Sequence, residues 1–260
     1  MSALSRGRPF ATVAGARPSL PSQAPGVRQV SPAPAAGPRL VAPASLQVTG
    51  STREEKLASL AKQAGNFPAA RALGTLRDTM VFAVGNPNAD IMFIGEAPGA
   101  EEEKLREPFV GPAGQLLTKI ITAMGLKRAD VYITNICKFR PGIEDQGTAN
   151  RKPTPAEMHT CLPLVLTEID IIQPKVIVAL GATAAEGLGI EGAISKNRGR
   201  YHSVKDIPVV VTYHPSYLLR QEQEGRGIAA KRQSWEDILM AMEQAGMTIT
   251  EKQRGFFKAR

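Results

Sequence analysis

Apolar residues follow two different spacings along the chain after residue 50. Short, continuous apolar runs, typical of buried strands, predict strands over residues 89–94, 131–136, 175–180 and 208–213. Apolar residues at helical spacing predict helices over residues 113–124, 155–172, 182–188 and 234–244, and Pro163 is expected to bend or break the second of these. A further helix is expected to start at Ser51, because Ser51-Thr52-Arg53-Glu54 fits a capping box and apolar residues follow at Leu57, Leu60, Ala61 and Ala64.

The alternation of strands and helices predicts an α/β fold. In such folds the strands are mainly parallel, and helices cover both faces of the sheet. We therefore expect a three-layer α/β/α sandwich around a central, mainly parallel, four-stranded sheet. The domain is expected to span residues 51–250, with a basic C-terminal tail over residues 251–260.

The composition excludes several classes of protein. The 260 residues are 43% hydrophobic and 22% charged, as in ordinary globular proteins. No run approaches the roughly 18 apolar residues of a membrane span, which excludes an integral membrane protein. The two cysteines, Cys137 and Cys161, are too few for a disulfide-rich scaffold or for an all-cysteine iron–sulfur cluster held by one chain. Three histidines leave little for a histidine-rich metal site.

The net charge of +8 favours a polyanionic partner, but the basic excess is concentrated in residues 1–50. That segment holds five arginines, eight of the twenty prolines and no acidic residue, whereas residues 51–260 carry 27 basic and 24 acidic side chains. We expect residues 1–50 to be disordered, because they cannot bury enough apolar surface. A solvated linker, an organelle transit peptide and a tail that holds a polyanion all remain open. If the rest of the chain binds nucleic acid, it needs a local basic patch.

Polar or glycine-rich stretches follow the predicted strands and are expected to share one edge of the sheet. Because ligands bind at the carboxyl ends of parallel strands, these stretches should converge on one cleft. They are Gly95-Glu96-Ala97-Pro98-Gly99, Thr134-Asn135, Gly181-Ala182-Thr183 and His214-Pro215-Ser216.

Each stretch has a structural as well as a functional interpretation. The acidic run at residues 101–103 could include a general base, or it could be a solvated helix start. Asn135 could read a base edge, since an amide offers a donor beside an acceptor, or it could form a turn. The small residues from Gly181 could hold a phosphate or only cap a helix. His214 could be packed structurally or exposed on a rigid turn.

Four motifs in this order resemble the uracil-DNA glycosylase superfamily, and within it the family 4 branch of bacteria and archaea. They read GEAPGAEEEKLREPFVGPAG at residues 95–114, VYITNICKFRP at residues 131–141, KVIVALGATAAE at residues 175–186 and YHPSYLLR at residues 213–220. The resemblance covers roughly residues 70–245. It implies a monofunctional enzyme of base-excision repair that flips uracil out of DNA and hydrolyses its N-glycosidic bond.

The resemblance also implies roles for the motif residues. His214 would donate a hydrogen bond to uracil as negative charge develops, and Glu102 would position or activate the water and balance the sugar cation. Phe109 would stack on uracil and Asn135 would pair with its edge. Glu96 or the loop at residues 95–98 would exclude the methyl group of thymine. The implied substrate-binding residues are Gly95, Glu96, Ala97, Pro98, Gly99, Phe109 and Asn135.

The resemblance implies a DNA-binding set as well. Gly181, Ala182 and Ser216 would contact phosphates, and a wedge would enter the stack that the base leaves. The implied DNA-binding residues are Arg140, Gly181, Ala182, Thr183, Ser216, Leu218, Leu219 and Arg220, of which the last three form the wedge.

The chain departs from the family 4 pattern at the iron–sulfur cluster. The four cysteines of that cluster would fall near Pro68 and Arg71, at Phe139 and at Cys161, so only one of them is present. We therefore expect no cluster, no other cofactor and no metal, with Phe139 and apolar neighbours packing in its place. Cys137 is interpreted as a buried structural thiol.

Residues 142–152 are expected to form a longer loop than in typical family 4 members. A covalent uracil-trapping relative has a nucleophilic histidine in this loop. Here the nearest histidine, His159, lies on the following helix, so turnover is expected and trapping is not. Arg140, Arg151 and Lys152 are candidates for the local basic patch.

Two functional alternatives remain: a non-catalytic module that binds damaged DNA, and a glycosylase for another deaminated base. The presence of Glu102, Asn135 and His214 together argues against the first, because a pure binder does not need all three. The resemblance further implies a monomer that acts on uracil-containing DNA, without a membrane, in a bacterial cytoplasm with the nucleoid. Import into an organelle through residues 1–50 is the alternative location.

Overall fold

The computed structural model describes residues 45–257, so most of the predicted N-terminal tail and residues 258–260 lie outside the described part. The helices are α1 (Arg53–Gly65), α2 (Pro68–Ala72), α3 (Ala100–Leu105), α4 (Pro112–Ala123), α5 (Pro155–Ile172), α6 (Ala182–Gly187), α7 (Ile194–Asn197), α8 (Pro215–Gln223), α9 (Gly227–Gln244) and α10 (Glu251–Arg254). A 3-10 turn occupies Arg128–Asp130. The strands are β1 (Leu76–Met80), β2 (Val84–Gly85), β3 (Ile91–Gly95), β4 (Tyr132–Asn135), β5 (Phe139–Pro141), β6 (Val176–Leu180), β7 (Tyr201–Val204) and β8 (Ile207–Thr212).

Six strands form the central sheet, in the order β2-β4-β3-β6-β8-β7. The inner four strands are parallel, which confirms the predicted α/β fold and its four-stranded parallel sheet. The edge strands β2 and β7 are antiparallel and extend the predicted sheet. Strand β2 is two residues long, and β7 is half polar and follows no apolar run, so neither has a clear hydrophobic pattern. Strands β1 and β5 form a separate antiparallel pair.

Helices cover both faces of the sheet. Alternate residues of β3 point to opposite faces, so Met92 and Ile94 pack with α1, α5 and α6, whereas Ile91 and Phe93 pack with α4 and α9. Strands β3, β4 and β6 are buried along their whole length, and β8 is buried except at Pro208, as expected for parallel strands between two helical layers. The three-layer α/β/α sandwich is therefore confirmed.

Helix boundaries differ from the sequence predictions at several places. The first capping box is formed by Thr52 and Glu55, one residue later than expected. Helix α5 runs through Pro163 without a break, because most of its side chains are buried and their packing outweighs one missing backbone hydrogen bond. Helix α9 starts at Gly227 instead of residue 234. Its first two turns are not predicted because their apolar residues Ile228 and Ala229 are exposed and form no core-facing pattern.

Both ends of the described chain contact the domain. The hydroxyl of Ser45 donates to Asp170 at 2.5 Å, and the N–H of Leu46 donates to Thr167 Oγ1 at 2.8 Å. At the other end, the indole N–H of Trp235 donates to the carbonyl of Gln253 at 2.8 Å. The packed domain thus extends beyond the expected limits of residues 51–250 on both sides. Within residues 45–257, no helix is long and apolar enough to cross a membrane.

Candidate active site

The glycine-rich and polar stretches lie together at the carboxyl edge of the parallel strands. Gly95 and Asn135 are the last residues of β3 and β4 and are direct neighbours in the sheet. Gly181 follows β6, and its N–H donates to the carbonyl of Thr212, the last residue of β8, at 2.8 Å. His214 comes two residues after that strand end. The structure therefore brings all four predicted stretches to one edge, as the topology requires.

Gly95 is surrounded so closely that only glycine fits there. A Cβ atom at this position would lie 2.3 Å from Oδ1 of Asn135 and 2.4 Å from Cζ of Phe109. Phe109 is buried and has a φ of 56°, and its carbonyl oxygen would lie 1.8 Å from a Cβ on Gly114. Two glycines therefore allow the loop to press the Phe109 ring against the Asn135 amide.

Asn135 has an unsatisfied hydrogen-bond acceptor. The residue is 2% exposed, and its Oδ1 atom is buried without a hydrogen-bond partner. Buried polar atoms are nearly always hydrogen-bonded, and leaving one unpaired costs about 1–3 kcal/mol. An acceptor without a partner at a strand-end cleft fits a ligand that presents an N–H group beside an aromatic ring.

His214 is held in one orientation and kept uncharged. It is the N-cap of α8, where its Nδ1 accepts a hydrogen bond from the N–H of Ser216 at 3.2 Å. Its ring centroid lies 5.8 Å from that of Phe109. Burial, with a smaller contribution from the charge of Arg220, lowers the pKa of His214 to about 4, although the charge of Glu102 opposes the shift. The neutral ring therefore carries its proton on Nε2 and can donate from that atom.

Glu102 is tied to the backbone on both sides of its loop. Its Oε1 accepts hydrogen bonds from the N–H groups of Val110 and Gly111 at 3.0 and 2.9 Å. Its Oε2 accepts from the N–H of Gly99 at 3.2 Å and would lie 2.8 Å from a Cβ on that glycine. The carboxylate thus joins the start of α3 to the loop that carries Phe109.

Glu96 is the other carboxyl group at this edge, and its environment differs from that of Glu102. Burial raises the pKa of Glu96, and the nearby Thr183 hydroxyl and Lys152 ammonium only partly oppose this shift. Lys152 itself pairs with Glu186 at 2.6 Å. Glu96 is half-buried, and a carboxyl group with a raised pKa at the ends of parallel strands is a candidate for handling protons or water. The sequence showed the residue but not its burial.

The predicted DNA-binding residues divide into surface and interior groups. Leu218 is 1% exposed and belongs to the interior, so it cannot enter a DNA stack without unfolding α8. Leu219 and Ser216 are half-buried, and Arg220 and Ala182 are exposed. Gly181 has a φ of 94°, and a Cβ there would lie 2.9 Å from Cβ of His214, so this glycine serves close packing beneath the histidine.

Arg140 lies inside the protein and is fully engaged, so it is not available to DNA. Its guanidinium donates to Glu103 Oε2 at 3.0 Å, to Asn150 Oδ1 at 2.9 Å and to the carbonyls of Gly147 and Ala149 at 3.0 and 2.8 Å. The side chain is 4% exposed. Arg140 therefore holds the long loop at residues 142–152 against α3, which corrects the expectation of a DNA contact.

Arg151 also works within the loop. It donates two hydrogen bonds to Glu157, at 2.6 and 2.8 Å, and further ones to the carbonyls of Thr75 and Gly142. Burial alone would raise the pKa of Glu157, but the bonds from Arg151, Thr75 and Thr154 outweigh it and hold the pKa at about 2. Of the three residues expected to form a basic patch, only Lys152 is on the surface, and it is paired.

The residues at the family 4 cluster positions do not fit an iron–sulfur cluster. Pro68 begins α2, Arg71 pairs with Asp78 and Phe139 is a buried core residue, so Cys161 is the one possible ligand among the four. Cys137 lies beside Cys161, and a hydrogen bond between the thiols raises the pKa of Cys137 and lowers that of Cys161. No group of three metal-ligating side chains occurs in residues 45–257. No spacing rule would have predicted this thiol pair.

An aromatic ring, an amide with an unpaired oxygen and a neutral histidine thus lie together at the ends of the parallel strands, an arrangement typical of proteins that bind a flat, polar ligand there. The sequence profile of the uracil DNA glycosylase superfamily matches residues 82–239 of this chain. The chain therefore belongs to the uracil DNA glycosylase superfamily.

The curated relatives confirm that the chain is family 4-like. It is 42% identical to the type-4 uracil-DNA glycosylase of Thermotoga maritima over 172 residues, which cover 65% of this chain and 86% of that protein. It is 42% identical to the type-4 uracil-DNA glycosylase of Archaeoglobus fulgidus over 149 residues, or 54% and 72% of the two chains. The type-5 uracil-DNA glycosylase of Pyrobaculum aerophilum is 30% identical over 152 residues, or 52% and 64%.

Proposed function

We propose that this protein is a monofunctional uracil-DNA glycosylase that flips uracil out of DNA and hydrolyses its N-glycosidic bond, leaving an abasic site for base-excision repair. The observation that carries the proposal is the unpaired Oδ1 of Asn135 beside the Phe109 ring. Family membership and the type-4 relatives support the same reaction.

The Asn135 amide accounts for the choice of uracil over cytosine. Uracil has an N–H at N3, which would donate to Oδ1, and a carbonyl at C4, which would accept from Nδ2. Cytosine at neutral pH has no proton on N3, so an amide held in this orientation would leave Oδ1 unpaired in a buried site. Thymine has the same polar edge as uracil, so it must be excluded by shape. The loop at residues 95–99 would exclude its methyl group.

His214 would stabilise the leaving base. As the bond to the sugar breaks, negative charge develops on uracil, and Nε2–H of a neutral histidine would donate to the base oxygen nearest that bond. The low pKa of His214 supports donation by a neutral ring. The ring centroid of Phe109 lies 5.8 Å from that of His214, and the Phe109 ring lies near the Asn135 amide. Phe109 would stack on one face of the base.

The two carboxyl groups would divide the remaining work. Glu96, which has the raised pKa, would accept a proton from the attacking water or orient it. Glu102 would balance the positive charge that develops on the sugar, while its three backbone hydrogen bonds fix the loop that carries Phe109. The family resemblance by itself assigns the attacking water to Glu102. The burial of Glu96 favours assigning the water to Glu96 instead.

DNA would approach the exposed rim of the cleft. Arg220 on α8 and Arg106 after α3 are exposed and have no acidic partner within the described residues. Leu219, next to Arg220, is the remaining candidate for the wedge that fills the space left by uracil. The N–H groups around Ala182 and Thr183 and the hydroxyl of Ser216 would contact phosphates.

The protein would act without an iron–sulfur cluster, as a monomer, on DNA in a bacterial cytoplasm. The two-cysteine content and the buried Phe139 support the first of these statements. The other two follow from the family resemblance. The alternatives remain a non-catalytic binder of damaged DNA and a glycosylase for another deaminated base.

The deciding experiment is release of base from labelled oligonucleotides that each carry one uracil, hypoxanthine, xanthine or mismatched thymine. Release of uracil alone supports the proposal. Release of hypoxanthine or xanthine in preference to uracil would favour another deaminated base. Binding of uracil-containing DNA with no release from any substrate would favour the non-catalytic module.

A further inference from the structure

A buried ion pair lies directly behind the residue that would read the base. Lys138 and Glu168 both have fully buried side chains, and Lys138 Nζ donates to Glu168 Oε2 at 2.5 Å. Lys138 follows β4 by three residues, whereas Glu168 lies in the last third of α5. The pair thus joins the end of a central strand to the helical layer behind it.

The same ammonium group is bonded to the end of β4. Lys138 Nζ donates to the main-chain carbonyl of Asn135 at 2.9 Å and also to the hydroxyl of Thr134. Glu168 in turn accepts from the hydroxyls of Thr134, at 3.1 Å, and Tyr132, at 3.3 Å. All three donors of the ammonium group are therefore used, and two of them hold Thr134 and Asn135.

The Asn135 amide has no such support of its own. Its Oδ1 is unpaired, so the direction of the side chain depends on the main chain that carries it. That main chain is fixed on one side by β3, since the N–H of Ile136 donates to the carbonyl of Gly95 at 2.9 Å. On the interior side it is fixed by Lys138.

Stability alone does not account for this pair. Taking two charges out of water costs several kcal/mol per ion, and apolar residues of similar size often replace a buried pair without loss of stability. In some proteins a buried polar or ionic pair serves to fix one conformation, and this pair lies beside a recognition residue.

We propose that Lys138, held by Glu168, is a positioning residue that fixes the main chain of Asn135 so that its amide meets the uracil edge. This inference rests on the proposed function, because it concerns the same amide. Lys138 does not touch the base; it acts through Asn135.

The test compares two variants of the full chain. K138M/E168L removes both charges together, so neither is left unpaired, and it removes the hydrogen bond to Asn135. Ile172→Ala, one turn beyond Glu168 at the end of α5, serves as a control for general loss of packing, because it leaves the bonds of Lys138 in place.

Four measurements distinguish a change in the position of the Asn135 amide from a general loss of folded structure. They are the thermal midpoint, the single-turnover rate of uracil release, the Kd for DNA carrying an abasic-site analogue, and the side-chain amide signal of Asn135 in a ¹⁵N spectrum. We expect K138M/E168L to fold and to bind abasic-analogue DNA as the wild type does. Its rate of uracil release should fall about tenfold to hundredfold, the scale of one misplaced buried hydrogen bond. Its Asn135 amide signal should shift.

We expect Ile172→Ala to release uracil within about threefold of the wild-type rate, after allowing for the fraction folded. A folded K138M/E168L protein with a wild-type rate would overturn the proposal. So would an equal loss of uracil release and of abasic-analogue binding. If K138M/E168L does not fold, K138Q/E168Q replaces the ions with a neutral amide pair too short to keep all the bonds, and the same losses are expected.

The test also distinguishes this inference from the proposed function. If the wild-type protein releases no uracil, the proposed function fails. The Asn135 amide signal still reports whether Lys138 fixes that residue. If the wild type is active and the amide signal and rate do not change in the variants, only the role of Lys138 is wrong.

Discussion

The Nδ1 atom of His214 accepts a hydrogen bond from the backbone N–H of Ser216, two residues later, at 3.2 Å. Because that nitrogen is an acceptor, the proton of the neutral ring must be on Nε2. The histidine is thereby prepared as a hydrogen-bond donor, and the strand–turn–helix geometry that places it also fixes its tautomer.

Replacing His214 by alanine should slow uracil release by about a hundredfold to a thousandfold, the loss seen when one donor to a developing anion is removed. The single-turnover rate on a uracil oligonucleotide measures this change. The thermal midpoint and the Kd for abasic-analogue DNA serve as controls. A loss of less than threefold in a folded protein would show that His214 does not stabilise the leaving base.

The low pKa of His214 should make the folded state sensitive to acid. The folded pKa is about 4 and the ordinary value is 6.5, so the unfolded chain binds more protons between these values. The contribution of His214 to stability is thus present above pH 6.5 and is lost as the pH falls towards 4, by at most about 3 kcal/mol. Urea unfolding of the wild type and of H214N at pH 7 and at pH 5 measures it. Between pH 7 and pH 5 the free energy of unfolding should fall more for the wild type than for H214N. Equal losses would contradict the low pKa of His214.

The division of labour between Glu96 and Glu102 predicts different defects. Glu96→Gln should slow uracil release by about a hundredfold or more, with no loss of stability, since it removes a buried charge. The wild-type rate should fall as the pH drops through the raised pKa of Glu96, and the variant should lose that dependence. Rates from pH 4 to pH 8 test this.

Glu102→Gln should lower the free energy of unfolding by about 1–3 kcal/mol, because an amide N–H₂ would face backbone N–H groups that now bond to the carboxylate. Its uracil release should fall together with stability. The contrary result would be a stable E102Q protein whose rate no longer falls at low pH, together with an E96Q protein that is still active. That result would assign the attacking water to Glu102.

The four-cysteine pattern is absent, so activity should not require iron. Protein purified without oxygen should contain no stoichiometric iron, and Cys161→Ser should keep most of its uracil release. Elemental analysis and the excision assay on the same samples test this. Iron that co-purifies in fixed proportion and is lost in the C161S variant, together with activity, would contradict it.

The fold could be read from the sequence wherever a local pattern determines the structure. Each inner strand contains consecutive buried apolar residues, and the topology then requires the residues after Gly95, Asn135, Leu180 and Thr212 to meet at one edge. The edge strands carry no such pattern, and their pairing depends on neighbours distant in sequence. At Pro163 the local sequence predicts a bend or break, but tertiary packing keeps α5 continuous.

The site could be located from the motifs, but the state of its residues could not. Nothing in the sequence distinguishes Arg140, which is enclosed by four acceptors, from a surface arginine that contacts DNA. The burial of Glu96 and of Lys138 depends on side chains from other elements. Charge and motif position are local properties, whereas burial and pairing are properties of the packed chain.

The central claim is that the unpaired Oδ1 of Asn135 selects a base with an N–H at N3. The most direct test is single-turnover release of uracil and of cytosine from otherwise identical oligonucleotides, by the wild type and by N135A. We predict rapid release of uracil and none of cytosine by the wild type, and a loss of uracil release in folded N135A. Equal uracil release by the two proteins, or wild-type release of cytosine, would contradict the account.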